Sequence, residues 1–208
     1  MKKIILLLIP LLLLVSCKET IKDAIKKKLE ESGDETVVES NFKQIKVDRL
    51  YALSVPKYMK EMNNLNDQAT LQYGNVYKDL YTTVTHEDIQ DFMAYSKEIG
   101  AYVDSLSILE NYTNAQLNYF NQNIKDCKID FYSEEKINNY DARQFKFTGK
   151  VAHQDVAYLM AYVETEADLF LIVNWTSLDR FSRFKDAFET INSSFEYIIN
   201  TEDIDEIQ

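Results

Sequence analysis

The chain of 208 residues is poor in the residue types on which crosslinks, metal centres and catalytic sites depend. It has two cysteines, two histidines and four glycines. His86 and His153 are not in a metal-binding pattern such as His-Glu-x-x-His, and the glycines lie too far apart to form a phosphate-binding loop. The serines are not in a Gly-x-Ser-x-Gly context. We therefore expect a non-enzymatic protein with no catalytic residues, no metal site and no cofactor.

Basic residues are also scarce relative to acidic ones. The chain has 23 Lys and Arg residues against 34 Asp and Glu residues, a net charge of −11. Such a surface repels nucleic acid and anionic headgroups, because both carry negative phosphates. The composition predicts no nucleic-acid partner, and any attachment to a membrane must come from something other than charge.

A long hydrophobic run occurs at the N-terminus. Met1-Lys2-Lys3 is followed by apolar residues from Ile4 to Val15, interrupted by Pro10. As a helix this run would be about 18 Å long, too short for a hydrocarbon core of about 30 Å. The order of a basic leader followed by a short apolar segment predicts a signal peptide over residues 1–16.

The end of this run resembles a bacterial lipobox. Leu14-Val15-Ser16-Cys17 has an aliphatic residue, then small residues, then cysteine. The resemblance implies that Cys17 receives lipid, and that two or three acyl chains anchor the mature protein stably. Lys18 and Glu19 follow Cys17 without an intervening aspartate, which by resemblance to lipoprotein sorting favours the outer membrane. The membrane face and the oligomeric state stay open.

The mature chain divides into three segments by composition. Residues 17–41 are charged and poor in aromatics, which predicts a lipid-anchored polar tether. Residues 42–199 contain the hydrophobic patterning of one folded domain, and residues 200–208 form an acidic tail. With Cys17 acylated, Cys127 has no partner for an intramolecular disulfide. We expect its thiol to be buried or half-buried rather than nucleophilic.

Apolar periodicity predicts a sheet in the folded segment. Strands are expected over 45–55 (or as two short strands that meet near Asp48), 69–73, 79–85, 128–133, 143–151, 156–163 and 169–175. The last two are apolar on both faces, so we expect a hairpin in the middle of a sheet that is covered on both sides.

Helical spacing predicts the remaining elements. Two helices are expected between Glu87 and Asp126, separated at Gly100, and one or two helical turns over 57–65. A further helix is expected after Asp179, which we predict as its N-cap. Its apolar stripe comprises Phe181, Phe184, Ala187, Phe188, Ile191 and Phe195.

Three segments in this order resemble PsbP-like domains: Leu50-Tyr-Ala-Leu-Ser-Val-Pro56, Asn66-Asp-Gln-Ala-Thr-Leu-Gln-Tyr73 and Phe188-Glu-Thr-Ile-Asn-Ser-Ser-Phe195. The resemblance covers roughly residues 42–199. It implies an α/β (α+β) fold, an antiparallel sheet flanked by helices in an α/β/α sandwich, and it implies a protein-binding module rather than an enzyme. Many members carry tryptophan where this sequence has Met59, an apolar residue that can fill the same packing role.

Several residue groups are candidates for a site. Strand tyrosines could line a ligand pocket or stack on sugar rings, although packing beneath a helix is the simpler role. They are Tyr51, Tyr73, Tyr81, Tyr158 and Tyr162. His86-Glu87-Asp88 and the acidic group Glu164, Glu166 and Asp168 could offer metal ligands. A strand end before a helix, and a solvated hairpin tip, are the favoured alternatives.

Two functions follow from these features. The first is a non-enzymatic cell-envelope lipoprotein that binds or scaffolds an envelope protein. The second is a lipoprotein that binds a small ligand or a glycan in an aromatic pocket between the sheet and a helix.

Overall fold

The computed structural model describes residues 41–198. The predicted signal peptide, Cys17, nearly all of the predicted tether and the acidic tail lie outside the described residues. Ten strands and three helices follow in chain order: β1 Phe42–Val47, β2 Tyr51–Pro56, β3 Lys60–Glu61, β4 Leu71–Asn75, β5 Leu80–Asp88, α1 Ile89–Glu98, α2 Ile108–Asn123, β6 Lys125–Ser133, β7 Asp141–Val151, β8 Gln154–Glu164, β9 Asp168–Ser177, α3 Phe181–Ser193 and β10 Glu196–Tyr197.

The domain begins with an antiparallel hairpin of β1 and β2. Their register runs from Phe42 opposite Pro56 to Val47 opposite Tyr51. At the turn Asp48 takes a left-handed conformation with φ 46°. This confirms the alternative of two short strands that meet near Asp48. The strand β10 pairs with the other edge of β2, which completes a three-stranded sheet.

The helical turns predicted over 57–65 are wrong. The backbone instead forms β3, which pairs with β4, and the Met62 N–H donates to the Gln72 carbonyl at 2.9 Å. The Gln72 side chain accepts from the N–H groups of Leu65 and Asn66 and donates to the Asn66 carbonyl. These bonds to a neighbouring strand replace the bonds that a helical turn would make. Met59 is completely buried, as its packing role requires.

The main sheet has seven strands in the order β3-β4-β5-β9-β8-β7-β6, and every neighbouring pair is antiparallel. The predicted hairpin of two doubly buried strands is confirmed as β8 and β9, which lie side by side in the middle of the sheet. The chain leaves the sheet after β5, passes through α1 and α2, and returns at the far edge as β6. The strands β6 to β9 then step back until β9 pairs with β5.

The helices α1 and α2 begin at side-chain caps. Asp88 accepts hydrogen bonds from the N–H groups of Gln90 and Asp91 at 2.7 Å and 3.0 Å. Ser107 and Glu110 form a capping box at the start of α2. Between the two helices Gly100 has a left-handed backbone, φ 69°, which ends α1 where the sequence predicts the break.

The helix α3 is present, but the prediction that Asp179 caps it is wrong. A short 3₁₀ helix over Leu178–Arg180 precedes it, and the N-cap is Arg180, without a side-chain bond. The guanidinium of Arg180 donates to the carbonyls of Tyr77 and Lys78 in the turn before β5. This tertiary contact orders the segment in place of a local cap.

Each face of the seven-stranded sheet carries its own hydrophobic cluster. The helix α3 and the three-stranded sheet cover one face, and α1 and α2 cover the other. We call these the α3 face and the α1–α2 face. Along β8 the residues Ala157, Leu159, Ala161 and Val163 belong to the α3 face, and Val156, Tyr158, Met160 and Tyr162 belong to the α1–α2 face. The result is a layered α/β sandwich.

A chain of buried amides crosses the α3 face. Thr82 donates to Asn174 at 2.9 Å, and the Asn174 amide donates to Asn192 at 2.7 Å and to the Leu159 carbonyl at 3.1 Å. Asn192 in turn donates to Gln144 at 2.8 Å. Because Thr82, Asn174 and Asn192 are completely buried, these bonds set the position of α3 over the sheet.

Candidate functional site

A cleft opens on the α1–α2 face, at the C-terminal end of α2. Its volume is about 200 Å³. Its lining comes from the 65–66 turn, the end of α2, the start of β6, the β7–β8 turn and the sheet strands β5, β8 and β9: Leu65, Asn66, Thr83, Tyr119, Phe120, Asn123, Ile124, Lys125, Lys150, Val151, Ala152, Tyr158, Val173 and Trp175. The cleft therefore lies between the sheet and a helix, as the predicted aromatic pocket would.

Aromatic rings form much of the wall, and their neighbours hold them in place. The ring of Trp175 stacks on Tyr81 with 5.2 Å between centroids, and Tyr158 lies 6.3 Å from Trp175. Phe120 contacts Phe147 edge-on at 5.3 Å. A rigid wall of this kind offers apolar contact area without loss of side-chain entropy on binding.

Tyr158 is the most unusual polar group at this wall. It is completely buried, and its hydroxyl has no hydrogen-bond partner among the described residues. Burial raises its pKa, so the hydroxyl keeps its proton and stays a donor. A buried hydroxyl without a partner costs about 1–3 kcal/mol, and this one has no surface that a ligand in the cleft could contact.

The rim of the cleft is basic, in contrast to the acidic chain. Lys125 and Lys150 lie directly opposite each other in the register of β6 and β7. Lys150 pairs with Asp126 at 3.3 Å. Asp126 has a left-handed backbone, φ 56°, at a register shift in β6. Like charges that face each other across two strands repel, and the Asp126 carboxylate beside Lys150 offsets this repulsion.

The β7–β8 turn beside the cleft is strained. Ala152 and His153 both have positive φ, 47° and 69°, a conformation that favours Asn and Gly in two-residue hairpins. Ala152 borders the cleft. Backbone strain of this kind is often found next to ligand sites.

The five candidate tyrosines do not meet at one place. Tyr51 and Tyr73 pack in the cluster of the α3 face, and Tyr81, Tyr158 and Tyr162 pack in the cluster of the α1–α2 face. Of the five, Tyr158 lines the cleft and Tyr81 supports it through Trp175. Tyr51 and Tyr162 are completely buried and pack beneath other elements.

The residues of the His86 cluster point in different directions, because successive side chains of a strand alternate between faces. His86 stacks on Phe170 at 5.7 Å, on the α3 face. Burial raises the pKa of Glu87. Asp88 caps α1. The strand β5 ends at Asp88 and α1 begins at Ile89, which is the alternative that the sequence favoured.

The acidic residues Glu164, Glu166 and Asp168, at the β8–β9 connection, do not come together in one site either. Glu164 accepts the N–H of Leu109 at the start of α2, at 2.9 Å, whereas Asp168 accepts the Tyr197 hydroxyl at 3.3 Å. Glu166 is exposed at the hairpin tip. Across residues 41–198, no three His, Cys, Asp or Glu side chains come together in a way that could hold a metal ion.

Cys127 is half-buried in β6. Burial raises the pKa of its thiol, which disfavours the thiolate. The structure thus places this residue in the environment that the sequence predicts for an unreactive cysteine. Cys17 lies outside the described residues, so its lipidation stays a prediction.

The sequence pattern did not single out Trp175, Phe120, Lys125 or Lys150 as site residues. Trp175 and Phe120 follow the apolar patterns of a strand and a helix, and a lysine such as Lys125 is common on an edge strand. These residues come together because β6 crosses to the sheet edge beside β7. The strand order that produces this meeting is not visible in local periodicity.

No protein-family profile matches the sequence, and no curated protein sequence matches it either. Solved structures do resemble it. The cyanobacterial PsbP protein (CyanoP) of Synechocystis sp. PCC 6803 is similar with a TM-score of 0.51 and 12% identity, covering 81% of this chain and 99% of CyanoP. A mutant form of the protein Mog1 is similar with a TM-score of 0.52 and 12% identity, covering 78% of this chain and 98% of that chain.

LpqN of Mycobacterium tuberculosis, described as involved in cell envelope biogenesis, has a TM-score of 0.48 and 9% identity over 81% of this chain and 100% of its own. The likeness to CyanoP and Mog1 shows the fold alone: this chain has a PsbP-like α/β fold, with antiparallel sheets flanked by helices. None of the helices within residues 41–198 has the length and apolar content needed to cross a bilayer.

Proposed function

We propose that this chain is a non-enzymatic binding module that a lipid on Cys17 tethers to the bacterial cell envelope, at the outer membrane. The cleft at the end of α2 is its binding site. The observation that supports binding is a concave, largely apolar cleft whose wall includes the rings of Phe120, Tyr158 and Trp175. The order of basic leader, apolar run and lipobox-like Leu14–Cys17 supports the anchor.

The geometry favours a small ligand over a protein as the occupant of the cleft. A volume of about 200 Å³ lies below the roughly 300–1,000 Å³ of typical small-molecule sites, so the cleft suits a compact ligand. That is room for one ring or a short hydrocarbon chain. Small-molecule sites are typically concave and mostly apolar, with a few placed polar groups, and this cleft has both properties.

The anchor is tested by substitution of its lipid acceptor. Cys17→Ala should move the protein from the membrane fraction to the soluble fraction, or leave it unprocessed, while the domain still folds. Globomycin treatment and metabolic labelling with an alkyne fatty acid supply the second readout. A wild-type chain that takes up no label on Cys17 would refute the anchor.

Ligand binding is tested by thermal-shift screening of the full chain with Cys17→Ala, against small molecules extracted from the envelope. A ligand at 100 times its Kd stabilises by about 2.7 kcal/mol, a shift of roughly 5–10 °C for a domain of this size. Val173 lies at the cleft floor, so Val173→Phe should fill the cleft and abolish the shift. Val47→Phe makes the same change on β1, outside the cleft, and should preserve the shift. If both variants respond equally, the ligand does not bind in the cleft.

A protein partner is the second candidate, favoured by an exposed apolar group at one end of the sheet. Val76 and Tyr77 are 58% and 68% exposed, and Leu178 is 43% exposed. The bonds from Arg180 to Tyr77 and Lys78 bring the two segments together. Photo-crosslinking from position 77 in whole cells, with position 46 on β1 as the control, should capture one protein if this candidate is correct. Equal capture at both positions would contradict it.

A further inference from the structure

We propose that the free edge of β6 binds a second copy of this chain. The two β6 strands pair antiparallel about a two-fold axis at Ile129, which joins the two seven-stranded sheets into one. This surface is separate from the cleft, and the inference does not depend on a ligand there. The open edge, the exposed ring of Phe131 and the charges of Lys128 and Asp130 are argued in turn.

The strand β6 ends the seven-stranded sheet at one side. It pairs with β7, and no other strand within residues 41–198 borders it. Its register with β7 is continuous from Lys128 to Phe131 and shifts on both sides of that stretch. An edge strand presents unpaired N–H and C=O groups that another strand can bond. Residues 128–131 therefore form a regular edge that a further strand can extend.

One side of this edge is apolar and incompletely covered. Cys127 and Ile129 pack against the cluster of the α1–α2 face. The ring of Phe131 meets Phe145 of the same cluster edge-on, with 5.5 Å between centroids. Phe131 is nevertheless 56% exposed. A strand added to β6 would cover this ring, and burial of apolar surface stabilises the association.

The other side of the edge carries two opposite charges. Lys128 and Asp130 are exposed, and neither forms an ion pair among the described residues. Asp130 lies opposite Lys146 in the register of β6 and β7. The Lys146 ammonium, however, lies over the ring of Phe181, 4.8 Å from its centroid. The charges of Lys128 and Asp130 are therefore available to a neighbour across the free edge.

This charge pattern is complementary to itself in one register. An axis at Lys128 places that lysine opposite Lys128 of the second copy, and an axis at Asp130 places two aspartates opposite each other. An axis at Phe131 extends the pairing past the register shift. With the axis at Ile129, Lys128 lies opposite Asp130 of the second copy at two places. Opposite charges stabilise a cross-strand pair and like charges destabilise it, so the axis at Ile129 is favoured.

The same register also matches the apolar side. It places Phe131 opposite Cys127 of the second copy, and Ile129 opposite Ile129. The other long edge, β1, borders the three-stranded sheet and carries Lys43 and Lys46 without an acidic residue. It therefore has no comparable charge pairing with a second copy, which makes β1 a suitable control.

The pairing is tested by disulfide trapping in the full chain carrying Cys17→Ala, Cys127→Ala and Ile129→Cys. Directly opposed residues of antiparallel strands have Cα atoms about 4.5–5.5 Å apart, within the roughly 4.4–6.8 Å that a disulfide spans. Under oxidation by copper–phenanthroline in air, we expect dimer to form at least tenfold faster than with Lys46→Cys in place of Ile129→Cys. Thermal melting by circular dichroism checks that both variants are folded.

The register is tested by charge reversal in the Ile129→Cys chain. Lys128→Asp and Asp130→Lys should each slow trapping about tenfold, because each places like charges opposite one another at both pairs. An equal mixture of these two variants, at the same total concentration, should recover about half of the original rate. In the mixed dimer every charge again faces an opposite one, and half of the encounters join unlike chains.

Trapping through Ile129→Cys that is no faster than through Lys46→Cys would overturn the proposal. Rates that neither single charge reversal changes, or a mixture that recovers nothing, would also overturn it, because the pairing would then lack the register that the charges select. Disulfide trapping of a different protein in whole cells, without a dimer of this chain, would assign the edge to another partner and refute the second copy.

Discussion

The two faces of the seven-stranded sheet bury their apolar residues in different ways. On the α3 face one amphipathic helix and a second sheet cover the strands, and a buried amide chain through Asn174 and Asn192 fixes their position. On the α1–α2 face two helices end at different places, and a cleft remains where α2 stops. The α3 face is therefore closed by packing, whereas the α1–α2 face keeps the cleft in which we propose that a ligand binds.

The largest effect that we expect is on the free energy of unfolding, when one aromatic ring is removed from each face of the sheet. Phe195 is completely buried and contacts Tyr51, Tyr140 and Phe170. Phe195→Ala should lower the free energy of unfolding by about 4 kcal/mol. The loss for Phe120→Ala should be smaller than the loss for Phe195→Ala by at least about 1 kcal/mol, because water can enter the space from the adjoining cleft. Urea denaturation measures both, and equal losses would show that the cleft is as tightly closed as the α3 face.

The amide chain of the α3 face is tested by Asn174→Ala. This change removes the hydrogen bonds that the Asn174 side chain makes with the Thr82 hydroxyl, the Leu159 carbonyl and the Asn192 Oδ1. We expect a loss of about 3 kcal/mol in the free energy of unfolding. The exposed Asn123 at the end of α2 is the control, and Asn123→Ala should stay within about 0.5 kcal/mol of the wild type. Similar losses for Asn174→Ala and Asn123→Ala would mean that the buried amide hydrogen bonds add no stability.

The strained β7–β8 turn beside the cleft should gain stability when its two residues are replaced. Ala152→Asn combined with His153→Gly places the preferred residues at two positions of positive φ. We expect a gain of about 1 kcal/mol, seen as a rise of roughly 2–4 °C in Tm. Gln154→Gly, one residue further into β8, is the control and should lower the Tm. A Tm that falls in the Asn-Gly variant would contradict the assigned turn conformation.

The smallest effect concerns Glu87, a partly buried carboxyl at the end of β5. Burial and the nearby Asp91 raise its pKa above the ordinary 4.5. The folded state therefore holds this proton more tightly than the unfolded state, so its ionisation destabilises the fold as pH rises through the raised pKa. Glu87→Gln should be slightly more stable than the wild type at pH 7 and equal to it below pH 4.5.

Urea denaturation at both pH values checks the prediction for Glu87. Glu135→Gln, an exposed carboxyl in the β6–β7 connection, is the control and should show no difference at either pH. A Glu87→Gln variant that is less stable at pH 7 would mean that the ionised carboxylate makes a stabilising contact.

Local patterns were sufficient to predict most elements, and the resemblance to PsbP-like domains predicted the fold class. The doubly apolar segments 156–163 and 169–175 predicted the central hairpin, and Gly100 marked the break between α1 and α2. The predictions that failed, the helical turns over 57–65 and the cap at Asp179, concern segments held by residues of other elements. The Gln72 side chain of β4 and the carbonyls of residues 77 and 78 supply those partners, and the periodicity of each segment carries no information about them.

The sequence by itself determined the hydrophobic pattern, the charge of −11 and the lipobox-like Leu14–Cys17, because these depend on residue type and local order. The tertiary structure decided which of the five tyrosines borders a cleft, which faces His86 and Glu87 occupy, and that Lys125 meets Lys150 beside Trp175. The reason is that strand order and register bring distant residues together, and a shift of one residue would turn every side chain of a strand to the opposite face.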